Sequence, residues 1–133
     1  MRLAGSAHGA GRLPHPDGSA TIQNPLCGDR ITVDVTRDAT GRITALAHDA
    51  KACVLCQASA ALLAGHAIGS TAADIAAEQQ LVRDLLTTGA LPDHAWPGLS
   101  AFAPVAKHRN RHRCVLLPFE ATEAALTSVI GTG

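Results

Sequence analysis

The chain has 133 residues, of which 47% are hydrophobic and only 2% aromatic, so we expect one domain with a small-grained aliphatic core. Lysine plus arginine and aspartate plus glutamate each number 11, which gives no reason to expect nucleic acid or an anionic membrane as a partner. No apolar run reaches the ~18 residues of a membrane-spanning helix, and the amino-terminal region lacks the apolar stretch of a secretory signal. We therefore expect a cytoplasmic protein whose four cysteines stay reduced for metal binding or catalysis.

Residues 1–20 are rich in glycine, alanine, proline and histidine and show no regular hydrophobic period, which predicts a flexible arm before a single domain over residues 21–133. Beyond the arm, alternating apolar and polar residues from Asp29 predict a half-buried strand, and a turn signal at residues 38–41 leads into a second one. The two strands form a hairpin. The predicted inward-facing residues are Ile31, Val33 and Val35 in the first strand and Ile43, Ala45 and Ala47 in the second.

Two helices are predicted after the hairpin. The first is predicted because the segment is rich in helix formers. Cys53 and Cys56 lie at its beginning, and Gly65 closes it. The second begins at Thr71, whose spacing to Asp74 matches a capping box, and ends near Gly89.

A last helix is predicted to begin at about Cys114, after an irregular connection marked by several prolines. Pro118 fits only within the first turn or so of that helix. The predicted fold class is therefore α+β, with a small antiparallel sheet of about three strands followed by helices packed on it.

Four candidate ligands lie at three places that such a fold can bring together. Cys27 and Asp29 are at the start of the first predicted strand, while Cys53 and Cys114 are each at the start of a helix. Three thiolates and a carboxylate suit a tetrahedral zinc site, or supply the terminal ligands of an iron–sulfur cluster. A helix N-terminus favours thiolate over thiol because its unpaired N–H groups carry partial positive charge. The sequence therefore predicts one thiolate-rich centre for metal and sulfur chemistry.

Each of these cysteines also has a simpler explanation, because a buried cysteine is often only a small hydrophobic residue. Cys53 and Cys56 match the C-x-x-C pattern of a dithiol redox pair, although the βαβ context of thioredoxin-like proteins is missing. From the residues alone, these alternatives stay open.

Residues 107–113 contain four cations and two histidines directly before Cys114. Such a cluster can neutralise a thiolate or face an acidic partner, and its outer members can also form a solvated loop. Arg113 is the candidate for contact with the thiolate or with a partner. His112 could serve as a ligand or a proton carrier.

Three motifs occur in a fixed order along the chain. They are Asn24-Pro25-Leu26-Cys27-Gly28-Asp29, then Cys53 followed five residues later by Ala58-Ser59, then Arg113-Cys114. Together they resemble the motifs of the IscU, SufU and NifU N-terminal type of iron–sulfur cluster assembly scaffold, and the first matches the NPxCGD signature in full. The long interval between Cys53 and Cys114, and an arginine where the IscU branch has histidine, resemble the SufU branch. The resemblance covers residues 13–130.

This resemblance implies a SufE/IscU-like fold and a scaffold or sulfur-relay protein that accepts sulfur from a SufS-like cysteine desulfurase. It implies zinc, or iron in a 2Fe–2S cluster, held by Cys27, Asp29, Cys53 and Cys114. By analogy Cys114 is the candidate sulfur acceptor, Asp29 adjusts the lability of the site, and apo iron–sulfur proteins or carriers receive the product. A small-molecule substrate in the ordinary sense, nucleic acid and membrane are not expected.

The chain departs from the family pattern at Cys56, where serine is common, so this thiol is an extra ligand, a persulfide partner or a tolerated small residue. The usual amino-terminal helix is shortened into the arm, and the Leu-Pro-Pro-Val-Lys motif is not present around residues 103–107. Two other functions stay open. One is a structural zinc-binding domain, against which Asp29 argues mildly because structural sites prefer cysteine and histidine. The other is a dithiol redox protein that uses Cys53 and Cys56.

Overall fold

A computed structural model describes residues 11–24, 28–92, 95–96 and 98–127, with the backbone alone for Asn24 and Asn110. An antiparallel sheet has the order β1-β2-β3, with β1 at Gly18–Asn24, β2 at Asp29–Arg37 and β3 at Ile43–Lys51. The helices α1 at Val54–His66, α2 at Ala72–Thr88 and α3 at His112–Thr127 follow, and 3-10 helices at Leu99–Lys107 and Arg109–Arg111 connect α2 to α3. The predicted α+β fold is confirmed.

Strand β2 forms as its alternating sequence predicts. Ile31, Val33 and Val35 have no exposed surface, because this face of the sheet packs against the helices, chiefly α3. Burying side chains of this kind contributes roughly 1.5–3 kcal/mol each. The central strand therefore anchors the sheet to the helical layer.

The predicted inward face of β3 is correct only at its first residue, Ile43. A β-bulge early in the strand adds one residue, and a shift of one residue exchanges the two faces of a strand. Leu46 and His48 consequently pair with core residues of β2 and face the core. Ala45 and Ala47, which were predicted to face it, lie on the other side of the sheet.

The outer face of β2 carries a buried carboxylate. Asp34 was predicted to point away from the core with the other polar residues of the strand, and it is nevertheless completely buried. It accepts hydrogen bonds from the Arg12 guanidinium at 2.6 and 3.1 Å, the Ser19 hydroxyl at 2.6 Å and the Leu13 N–H at 3.1 Å. Burial alone would raise the pKa of Asp34, but these bonds and the charge of Arg12 hold it below its usual value.

These bonds dock part of the predicted flexible arm on the sheet. The N–H of Gly11 donates to the carbonyl of His48, and β1 begins at Gly18, inside the predicted arm. Residues 1–10 lie outside the described residues. The division into an arm over residues 1–20 and a domain over residues 21–133 stays a prediction.

Helices α1 and α2 occupy the predicted segments. At the start of α2, Thr71 accepts a hydrogen bond from the Asp74 N–H and Asp74 accepts one from the Thr71 N–H, as the capping box requires. The helix ends at Gly89, whose φ of 81° lies in the left-handed region that glycine adopts without strain. Helix α1 is buried over most of its length, because its alanines let the sheet and α3 approach closely.

Helix α3 begins at His112, two residues before the predicted start, and Pro118 lies in its second turn. The connection predicted as irregular contains the two 3-10 helices instead. The hydroxyl of Ser59 in α1 donates to the carbonyl of Val115 at 2.6 Å and joins the two helices. Among the described residues, Phe119 is the largest fully buried side chain. Among the described helices, none is long and apolar enough to cross a membrane.

Candidate metal centre

Asp29 is the first residue of β2 and is only 6% exposed. One of its carboxylate oxygens accepts a hydrogen bond from the N–H of Cys53 at 3.2 Å, and the other accepts one from the thiol of Cys114 at 3.5 Å. The sheet supplies the carboxylate, while the start of α1 and the first turn of α3 supply its two donors. Asp29 therefore connects the two cysteines that were predicted to meet it.

Cys53 is the N-cap residue of α1, two residues after the end of β3. Its backbone is extended, its carbonyl accepts the Gln57 N–H at 3.0 Å, and its thiol makes no capping hydrogen bond. The side-chain amide of Gln57 donates to the carbonyl of Ala52 at 2.8 Å and holds the chain where it enters the helix. The half-buried thiol of Cys53 is thus left for other chemistry at the positive end of a helix.

Cys114 lies in the first turn of α3 and is 4% exposed. The hydrogen bond from Ser59 to the carbonyl of the next residue, Val115, fixes this turn against α1. Ser59 belongs to the second motif of the sequence, where no role was assigned to its hydroxyl. A hydroxyl six residues after Cys53, on the buried side of the helix that Cys53 caps, is the signal that marks Ser59 as a support for the site.

The three side chains form a compact donor group. One ligand atom each from Asp29, Cys53 and Cys114 lie within 4.8 Å of one another. A tetrahedral zinc ion with Zn–S bonds of about 2.3 Å holds its donors roughly 3.5–3.8 Å apart, so small side-chain rotations would suffice. Thiolate and carboxylate donors suit zinc and also suit the irons of a cluster. The donor set fits a metal group.

The sequence predicts roles for two further thiols, those of Cys27 and Cys56. Cys27 lies outside the described residues, and the described chain resumes at Gly28, whose φ of 75° is in the left-handed region and whose position is directly beside Asp29. Cys56 is fully buried in the first turn of α1 and belongs to the hydrophobic core, outside the group of three donors. The roles predicted for Cys27 and Cys56 stay predictions.

Arg113, predicted to contact the thiolate or a partner, has a different neighbour in the structure. Its guanidinium forms a salt bridge with Glu120 at 2.9 Å, and Arg83 of α2 approaches the same carboxylate at 3.5 Å. Glu120 was not singled out from the sequence, although it lies two helical turns after Arg113 on the same face. His112 is held by the carbonyl of Ala106 at 3.1 Å.

The sequence profile described as the NifU-like N terminal domain matches residues 4–112. The match ends two residues before Cys114, so it includes Asp29 and Cys53 and leaves the third donor to the geometry. No curated protein matches the chain significantly.

Solved structures give a second comparison. A nitrogen-fixing NifU-like protein (N-terminal) from Brucella abortus is 30% identical, with a TM-score of 0.89 over 100% of this chain and 92% of that one. A candidate iron–sulfur cluster assembly scaffold protein for the SUF system from Fervidobacterium islandicum AW-1 is 22% identical, with a TM-score of 0.81 over 95% of this chain and 92% of that one. At 22% identity, the likeness to the Fervidobacterium protein supports the fold alone.

Proposed function

The chain belongs to the NifU-like N-terminal domain family, within the IscU, SufU and NifU type of iron–sulfur cluster assembly scaffolds, and we propose that it accepts sulfur from a cysteine desulfurase. The observation that carries this proposal is the donor group of Asp29, Cys53 and Cys114. Three segments distant in sequence converge on two thiols and a carboxylate, and Asp29 already contacts Cys114 through the thiol proton.

Asp29 is suited to act as a base for Cys114. The thiol of Cys114 points its proton at a carboxylate oxygen 3.5 Å away, and only the thiolate form of a cysteine is a nucleophile or a metal ligand. A buried carboxylate in contact with a thiol can take up that proton without bulk water. Asp29 is therefore assigned the role of accepting the Cys114 proton when sulfur or metal arrives.

The proposed transfer is a thiol–disulfide type of exchange. The thiolate of Cys114 attacks the outer sulfur of a persulfide on the desulfurase, the S–S bond of the donor breaks, and its cysteine leaves as a thiolate. A new S–S bond forms on Cys114, so one sulfur atom moves and no external oxidant or reductant is needed. Cys53 is the more exposed of the two thiols in the donor group, which supports an approach of the sulfur-donating protein from its side.

Cys27, Asp29, Cys53 and Cys114 are assigned as the residues that hold metal. Zinc bound there would supply positive charge that keeps the thiols ionised, whereas an iron–sulfur cluster would be the cargo that is later handed to apo-proteins or carriers. The antiparallel order β1-β2-β3 supports this assignment over a thioredoxin-like redox pair, because that pair is typical of a βαβ unit.

The test is the rate at which a purified SufS-like cysteine desulfurase releases alanine from cysteine, with and without this protein. We expect the wild type to accelerate turnover and to carry a persulfide detectable by mass spectrometry, and we expect Cys114→Ser to lose both. Cys56→Ser is the matched control, since it removes a neighbouring thiol where the family commonly has serine. Full activation by Cys114→Ser would contradict the sulfur relay.

A further inference from the structure

An apolar groove lies beside the donor group. We use the name for the concave surface of about 490 Å³ between the start of α1 and the 3-10 helix Leu99–Lys107. Its walls are Val54, Leu55 and Ala58 on one side and Ala101, Phe102 and Val105 on the other. Because Val54 directly follows Cys53, the groove opens next to the more exposed of the two thiols in the donor group.

Exposure of Val54 is unusual in this molecule. Its exposed fraction is 62%, and among the described residues the other large exposed hydrophobic side chain is Ile68, at 54%, in the turn after α1. Single exposed apolar side chains are common on protein surfaces and need no explanation. Val54 differs from Ile68 in that it forms the rim of an apolar concavity rather than an isolated position.

One cation, Arg111, lines the groove, and other cations are near it in the sequence. Lys107 and Arg109, both exposed, lie on the same connection. None of these three cations forms an ion pair with an acidic side chain of the described residues, whereas Arg113 is neutralised by Glu120. In a chain with 11 cations and 11 anions, this is a local excess that favours an acidic partner.

We infer that the apolar groove docks a short segment of the sulfur-donating protein in which an apolar side chain is flanked by carboxylates. The apolar side chain would bury against Val54 and Val105, and the carboxylates would face Arg111. Docking there brings the donor to the edge of Cys53 without using a metal ligand as the anchor. This inference rests on the proposed function.

A second copy of the chain fits the groove less well. A stable dimer typically buries about 800 Å² per partner, and the groove is a small concavity with an uncompensated positive end. Two identical copies would bring equal charges together if the groove met itself. A cavity between ~300 and ~1,000 Å³ is instead of the size that encloses a small ligand or a few side chains.

The test compares two groove variants with two controls of equal charge change. Val54→Glu places a carboxylate at the first residue of α1, where the helix dipole favours it, so the fold should tolerate it. Its control is Ile68→Glu. Arg111→Glu reverses the charge at the end of the groove. Its control is Arg42→Glu, in the turn between β2 and β3, at the end of β2 opposite to Asp29.

We would measure the dissociation constant for a purified SufS-like cysteine desulfurase by titration calorimetry, together with circular dichroism and the metal content of each variant. Val54→Glu and Arg111→Glu should weaken binding by about tenfold or more, as is common for a central contact of an interface, and the controls by less than about twofold. Binding of the wild type should also weaken at high ionic strength. Metal content should be the same in all variants.

Two results separate the failure of this inference from the failure of the proposed function. If the wild type binds and activates the desulfurase, and the groove variants do so as well as their controls, the groove is not the docking site and the sulfur relay stands. If the wild type neither binds nor activates it, the proposed function is wrong and the inference with it. A wild-type dimer that Val54→Glu dissociates would assign the groove to a second copy and overturn the inference.

Discussion

Two buried aspartates five residues apart on β2 have opposite environments. Asp34 accepts four hydrogen bonds, two of them from the guanidinium of Arg12, so its carboxylate is fully occupied and neutralised. Asp29 accepts one backbone N–H and one thiol, and no cation of the described residues pairs with it. Burying a charge lowers the stability of the fold unless the charge is paired. A buried carboxylate without a cation therefore indicates a functional role that compensates for this cost.

The comparison separates a structural carboxylate from a functional one by what surrounds it. Asp34 holds the amino-terminal segment on the sheet, and its partners are a guanidinium, a hydroxyl and a backbone N–H. The partner of Asp29 is the thiol of Cys114, which is itself a nucleophile and a ligand.

The largest expected effect is that of Asp29→Ala on metal. Removal of a ligand that also orients Cys114 should lower metal affinity by at least about 100-fold, because loss of a supporting group alone typically costs 10–100-fold. The free energy of unfolding of the metal-free protein should change little, since an uncompensated buried charge is removed at the same time. Competition with a chromogenic chelator measures the first quantity, and urea denaturation the second. Unchanged affinity would remove Asp29 from the site.

Asp34→Ala should show the reverse pattern. It breaks all four hydrogen bonds of the carboxylate and frees the amino-terminal segment, which should lower the free energy of unfolding by about 3 kcal/mol. Metal affinity should stay within about twofold of the wild type. The fluorescence of the single Trp96, which stacks on His66 and Phe119, reports urea unfolding of the core. A loss of metal equal to that of Asp29→Ala would show that the two ends of β2 are not independent.

The pH dependence of stability should identify Asp34 as well. Its pKa is lower in the folded protein than the ordinary value of 3.8, so its contribution to stability is complete above that value. The contribution is lost as the pH falls from about 4 toward the lowered pKa. The difference in unfolding free energy between the wild type and Asp34→Asn should therefore be largest near neutral pH and shrink in acid. A difference that grows in acid would have the wrong sign.

Cys56→Ser should have a modest effect. Serine is more polar than cysteine, so burying its hydroxyl in the hydrophobic core should lower the free energy of unfolding by about 1–2 kcal/mol. Desulfurase activation and metal content should be retained, because Cys56 lies outside the donor group. Loss of activation at unchanged stability would make Cys56 a participant and move the site toward Cys53 and Cys56 as a pair.

The smallest effect is expected for Glu120→Gln. This change releases Arg113 and Arg83 from an ion pair in which both arginines are 47% exposed, which should cost no more than about 0.5 kcal/mol. The freed Arg113 would add to the uncompensated positive charge of residues 107–113. Binding of the desulfurase should tighten slightly at low salt, and a clear loss of binding would assign Glu120 itself to the interface.

Local sequence signals predicted several elements well. Alternation in β2 and the capping box of Thr71 and Asp74 depend on neighbours a few residues away, and both were confirmed. Strand β1, the β-bulge that turned Ala45 and Ala47 outward, and the buried environment of Asp34 depend on partners elsewhere in the chain. Asp34 occupies a polar position of an alternating strand, so its sequence context predicts exposure to solvent. The bond from Arg12, 22 residues earlier in the chain, was not predictable from that context.

The candidate site was predictable to a similar extent. The positions of Cys53 and Cys114 at helix starts and of Asp29 at a strand start are local, and their convergence followed from the predicted order of elements. The partner of Arg113 was not predicted from the sequence. The guanidinium pairs with Glu120, two helical turns later, rather than with a thiolate. Nor did the sequence indicate the apolar groove, which exists only where the start of α1 meets the 3-10 helix Leu99–Lys107.

The most direct test of the central claim is elemental analysis of wild-type protein purified without oxygen, with Asp29→Ala prepared in parallel. If Asp29, Cys53 and Cys114 form a metal-handling group, the wild type should carry about one zinc, or about two irons with sulfide, per chain, and the variant should carry much less. Wild-type protein that stays free of metal after supply of zinc, or of iron and sulfide, would contradict the account.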